Sequence, residues 1–417
     1  MPPEEHIPRA YAVLPYYLTA AISFVLVVLL ICFSAEVFTG HYFQPKLLAI
    51  THLAVLGWIT MIIFGASNQL VPVVSEQRLF SNKIAGLVFL LKVPGIILLV
   101  FSFWQFALTW TAYLGGFLLL SSFLMQSYNL FQTVKTAQTN IINDFILTAH
   151  VWLVLTGIIG LMLLVNLRFP FLPEEHLHYL KLHASIGMAG WFLQLVVGVS
   201  ARLIPMFLLS RGENTRLLSV TFYCFNLTLI LFMMESMVLK LTLGRTLYAL
   251  IVLVGLIFYL RYVIQCYKTA ARKQMDQGMK QTFLALFVLL LPILALSFIL
   301  FIGASVPVRF IVVYGFAYFF GFLSILIMGQ TFKTLPFIVW MHITRSDQLP
   351  KLLPKDLFRE SWLRWQALLY ISGFFLFSIG ILLQLKGALY GGGLLMTFGA
   401  VWYCVHVCII LLKLKSK

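Results

Sequence analysis

The chain has 417 residues, 61% hydrophobic and 10% charged, with a mean hydropathy of +0.98. Soluble globular domains carry about 25% charged residues, so this composition excludes one and indicates a polytopic membrane protein. At about 20 apolar residues per span, the length holds roughly twelve helices and leaves no room for a separate soluble catalytic domain. The net charge of +16 would suggest nucleic acid as a partner of a soluble protein, but in a membrane protein basic residues first report topology.

Apolar runs of spanning length lie at 12–34, 47–73, 84–103, 106–132, 143–167, 179–208, 217–239, 246–266, 281–303, 308–338, 362–386 and 390–412, which makes twelve spans. If the N-terminus is cytoplasmic, the even-numbered connections and the tail hold Arg78, Lys83, Lys135, Arg211, Arg216, Arg272, Lys273, Lys280, Arg345, Lys351, Lys355, Arg359, Lys413, Lys415 and Lys417, among others. The opposite side holds Lys46, Arg168, Lys181, Lys240, Arg245, Arg309 and Lys386. The positive-inside rule then places both termini in the cytoplasm of a plasma (inner) membrane protein. Most of the basic excess is thereby an orientation signal, and no nucleic-acid partner is expected.

Residues 1–11 carry Glu4 and Glu5 with a single Arg9, so no signal peptide is expected ahead of the first span. The cysteines are Cys32, Cys224, Cys266, Cys404 and Cys408, none in a CxxC or CxxCH arrangement, so neither a zinc site nor a c-type heme is encoded. Residues 342–361 read as a solvated charged loop.

One motif occurs three times. The second span contains Gly57-Trp58, Gly65, Ser67, Val71 and Pro72; the sixth contains Gly190-Trp191, Gly198, Ser200, Ile204 and Pro205; the tenth contains Gly321-Phe322, Gly329, Thr331, Leu335 and Pro336. Internal spacing is identical, and the copies stand 133 and 131 residues apart. A period of that length holds four helices and preserves their direction through the bilayer. The expected fold is therefore all-α, a single transmembrane domain over residues 1–417 with twelve helices in three parallel four-helix repeats, roughly 12–132, 143–266 and 281–412, around a pseudo-threefold axis. Two six-helix halves or inverted repeats would give other periods.

Three parallel quartets with motif-bearing helices two, six and ten resemble subunit I of the heme-copper oxidase and nitric oxide reductase superfamily over the whole chain. The stretch ITHLAVLGWITMIIFGASNQLVP, residues 50–72, is similar to the tenth helix of the cbb-type oxidases, which reads His-x-His, four residues, Gly-Trp, then a Gly-rich stretch ending in Val-Pro. Here His52 stands at the second histidine and Ile50 at the first.

Nine histidines are present. His6, His342, His41, His176 and His178 lie in polar segments and read as solvated, while His150 and His406 lie in spans outside the motif helices and read as structural. His52 and His183 occupy motif helices, twenty and twenty-two residues before Pro72 and Pro205, a depth difference of about 3 Å. His52 stands five residues before its Gly-aromatic pair and His183 seven before it, about 200° of α-helical rotation apart. In the resembled family both positions are filled on helix ten, one facing helix six and the other helix two. The threefold rotation then implies that His52 and His183 face one another. They are the candidate axial ligands of a non-covalent b-type heme, or alternatively of a copper ion; two histidines packed against polar neighbours is the other reading.

The departures from the family are equally informative. The tenth span has Tyr314 and Phe316 where the family has its heme ligands, and the seventh lacks the histidine pair that completes a copper site. Tyr314 is a candidate phenolate ligand or a packing residue. Lys92 and Glu235 are the main charges inside spans, hence functional candidates by default, or residues paired, snorkelling or set in polar pockets. Gln69, Arg202 and Lys333 share one motif column and read as snorkelling toward headgroups. The resemblance implies electron transfer, or heme or nitric oxide handling, with a cytochrome or another respiratory subunit as partner, and without oxygen reduction. A cofactor-free transporter, and a structural or assembly subunit, are the alternatives.

Overall fold

In the computed structural model, the described residues are 7–210, 214–238, 244–344 and 353–414. His6 and residues 345–352 of the 342–361 connection lie outside them. Among the described residues, twelve helices are long and apolar enough to cross a membrane: α1 Ala10–Phe33, α2 Pro45–Ser75, α3 Asn82–Gln105, α4 Trp110–Val134, α5 Ile141–Asn166, α6 His176–Leu208, α7 Thr215–Met237, α8 Thr246–Lys268, α9 Gln277–Ile302, α10 Val308–Thr344, α11 Glu360–Leu383 and α12 Lys386–Leu412. Every expected span is present, and the fold is all-α. Helices satisfy all of their backbone polar groups internally, which is the requirement the bilayer imposes.

The chain forms two compact units. The first comprises Met1–Leu70, Val100–Ala107 and Met275–Lys417; the second comprises Val71–Leu99 and Leu108–Gln274. In the first, Phe24 stacks on Trp58 at 4.2 Å between ring centroids, and Trp58 donates its indole N–H to Ser324 Oγ at 3.0 Å. The Tyr17 and Thr334 hydroxyls share a hydrogen bond of 3.0 Å. At the start of α12, Lys386 Nζ donates to Glu36 Oε1 at 2.8 Å, and this hydrogen bond, with the Lys386 charge, holds that carboxyl below the usual range. In the second unit, Trp152, Ile159, Leu163, Tyr179, Leu182, Ile186 and Leu229 form an apolar cluster, within which the Trp152 N–H donates to Asn226 Oδ1 at 2.8 Å.

The motif has the same local structure each time. α2, α6 and α10 widen from α- to π-helical winding at Leu53–Ile59, Ile186–Leu193 and Ala317–Leu323. Each wide stretch starts four residues before the first motif glycine, at Gly57, Gly190 or Gly321. Two turns on, the second glycine meets the opening helix of its own repeat. A Cβ at Gly65 would sit 2.6 Å from Tyr16 Cβ, at Gly198 2.6 Å from Phe145 Cβ, and at Gly329 2.8 Å from Gln281 Cβ. No real side chain tolerates those distances, so the backbones approach only because Cβ is missing. The Ser/Thr column ties in the last helix of the repeat in two copies, through Ser200 to Tyr259 Oη at 2.6 Å and Thr331 to Tyr403 Oη at 2.9 Å.

The motif proline sets where two of these helices stop. Past Pro72 and Pro205 the chain turns through a left-handed residue, Glu76 (φ 54°) or Leu209 (φ 51°). The next N–H returns to the proline carbonyl at 3.0 Å, from Gln77 and from Ser210. This is a helix-closing hydrogen bond of the Schellman type. α10 instead runs on past Pro336 to Thr344.

Alanine at Gly65, Gly198 or Gly329 should each destabilise the protein by about 1–3 kcal/mol through overpacking. Alanine at Gly315, around which a Cβ meets nothing within 4 Å, should not. Thermal unfolding in detergent compares the four, and equal behaviour would refute the packing role.

Candidate functional site

His52 is the last residue before the wide stretch of α2. Its ring is half-buried, 4.8 Å from the Phe103 ring centroid, and its Nδ1 lies 2.8 Å from the Leu48 carbonyl. His183 stands just ahead of the wide stretch of α6, also half-buried, with Nδ1 3.1 Å from the Thr156 carbonyl on α5. Gly160 makes room for this ring, since a Cβ there would fall 2.9 Å from His183 Cε1. A carbonyl only accepts, so each Nδ1 carries the proton and each Nε2 the lone pair. Metal-bound imidazoles commonly take that posture, so both residues fit an axial ligand of heme iron. His52 belongs to the first unit and His183 to the second.

The other candidates have definite surroundings. Lys92 is fully buried, its Nζ 5.2 Å from the centre of the Phe123 ring. Glu235 accepts a hydrogen bond from the Tyr248 hydroxyl on α8. Tyr314 is half-buried. Phe316 packs within a cluster of phenylalanines, 4.8 Å from Phe377, 5.0 Å from Phe320 and 5.7 Å from both Phe374 and Phe38.

Two expectations change. Lys333 does not snorkel alone: it pairs with Asp276, whose other oxygen caps the first turn of α9 by accepting from Met279 N at 3.0 Å. Gln69 of the same column is buried, and only Arg202 is exposed. Asp276 was overlooked as a partner, although an acidic residue directly before an apolar run is a recognisable helix cap. His342 is not a solvated side chain either, since its Nδ1 and Nε2 lie 2.9 Å and 3.2 Å from the carbonyls of Ile338 and Pro8. Among the described residues, no three His, Cys, Asp or Glu side chains gather as a metal site.

Gly160→Ala should push the His183 ring off the Thr156 carbonyl and change its ¹⁵N resonances, whereas Gly187→Ala, whose Cβ has 3.3 Å to its nearest neighbour, should change them less. Identical spectra for the two variants would contradict this placement. No protein-family model matches the sequence, and a search of the curated proteins finds no match.

Proposed function

We propose that this integral membrane protein binds a b-type heme, with His52 and His183 as axial imidazoles, and transfers electrons or handles heme or nitric oxide without carrying out full oxygen reduction. In this reading the twelve helices follow the plan of subunit I of the heme-copper oxidases, three parallel quartets about a pseudo-threefold axis. The observation that carries it is the shared setting of the two histidines. They are the histidines of α2 and α6 directly ahead of the wide motif turns, and both hold the proton on Nδ1 against a main-chain carbonyl. The pairing of the two rests on the register of the repeat and on helical periodicity.

A heme held by these two imidazoles would supply a ferric/ferrous couple for one-electron transfer. The protein's own part is then to fix the imidazoles and limit water. At His183 the Thr156 carbonyl orients the ring and Gly160 admits it; at His52 the Leu48 carbonyl and Phe103 do the corresponding work. The phenylalanine cluster around Phe316 supports the exclusion of oxygen chemistry, because it fills a position that an oxygen-reducing relative gives to a ligand.

The purified protein should show a reduced-minus-oxidised α band, and iron in metal analysis at one per chain, the expected stoichiometry of one heme. His52→Ala and His183→Ala should each abolish the bis-histidine spectrum while the protein remains folded. A folded, metal-free protein with no visible absorption would overturn the proposal in favour of a transporter or a structural or assembly subunit.

A further inference from the structure

The second unit buries a polar pair that the heme reading does not use. His150 on α5 is 2% exposed and Gln194 on α6 is 0% exposed. The Ile146 carbonyl lies 2.8 Å from His150 Nδ1 and takes its proton, so Nε2 carries the lone pair. That Nε2, and both amide atoms of Gln194, are shielded from solvent and have no protein hydrogen-bond partner.

The register of the two helices puts these groups on one stretch of their interface. A Cβ at Gly190 would lie 2.7 Å from the Trp152 ring, and one at Gly198 2.6 Å from Phe145 Cβ. Residues 190–198 of α6 therefore run antiparallel along 145–152 of α5, with Gln194 at the middle. The Trp191 ring, one turn before Gln194, meets the His150 ring edge to face at 5.0 Å. Groups that lack hydrogen bonds in an apolar interior are costly, and proteins retain them where a guest completes them.

The repeat supplies an internal control. Tyr16, Phe145 and Gln281 are equivalent because each meets the second motif glycine of its own repeat. Counting from them, His150 corresponds to Ala21 and Leu286, and Gln194 to Met61 and Ile325. All four counterparts are buried apolar residues. Packing at this interface thus requires no polar group, and the histidine and glutamine are particular to the second repeat.

We infer that α5 and α6 enclose a binding site for one small hydroxylic guest, whose O–H donates to His150 Nε2 and whose oxygen accepts from the Gln194 amide. An imidazole lone pair and an amide with both donor and acceptor are complementary to a hydroxyl. Cations find no carboxylate in this pair, and the guest that its lone pair and amide would complete is water or a small hydroxylic solute.

The test is ¹⁵N NMR of histidine-labelled protein in lipid nanodiscs, with His150 assigned through the coupling of its Nδ1–H to the Ile146 carbonyl. Expected is an Nε2 resonance shifted upfield from that of an imidazole whose Nε2 accepts no hydrogen bond, and moved again by Gln194→Met. A cross-peak to water protons identifies water as the guest. The same shift without that cross-peak, together with a small molecule released on denaturation, identifies a solute. The double variant His150→Leu/Gln194→Ile, which copies the third repeat, should keep the wild-type fold. An Nε2 shift of a non-bonded imidazole, or one unaffected by Gln194→Met, would overturn the inference.

Discussion

Close approach between each motif helix and the first helix of its repeat is the constraint from which the rest of this structure follows. At Gly65, Gly198 and Gly329 the opposing Cβ lies where a Cβ of the motif residue would have to be. With no hydrophobic force between helices inside lipid, such contacts supply packing energy that larger residues cannot. They also set register, so that Ser200 and Thr331, two residues later, reach tyrosines on the last helices of their repeats. The wide turns belong to the same arrangement. Each lies one to two turns before the contact and rotates the incoming segment, which carries His52 in α2 and His183 in α6, relative to the segment that packs.

Several polar groups within the spans are closed by a partner on another helix: Trp58 by Ser324, Tyr17 by Thr334, Trp152 by Asn226, and Tyr262 by the Ala201 carbonyl. Hydrocarbon offers no substitute for a lost hydrogen bond, which makes each closure a condition for burial. His150 Nε2 and the Gln194 amide are not closed in this way, nor is the Gln366 amide on α11, and the apolar counterparts of His150 and Gln194 in the other repeats show that the fold did not need a polar group there.

Hydropathy made the twelve spans legible, since each is a near-continuous apolar run, and constant spacing made the motif legible. The wide turns were not legible, because π-helical winding depends on packing around the Gly-aromatic pair and carries no distinctive residue. Counting at 100° per residue therefore fails across residues 53–59, 186–193 and 317–323, although His52 and His183 both precede these stretches. Lys333 was misread because its partner Asp276 is distant in sequence, and His342 because Pro8 is more so. Gln194 could have been noticed as the one polar residue in a motif column otherwise holding Met61 and Ile325.

Ligation by two neutral imidazoles is what the proposed heme site requires above all. Low-temperature electron paramagnetic resonance of the oxidised purified protein reports it directly. The expected result is a low-spin ferric signal of bis-histidine type that disappears in both His52→Ala and His183→Ala. A high-spin ferric signal, a signal indifferent to either substitution, or no ferric iron in folded protein would contradict it.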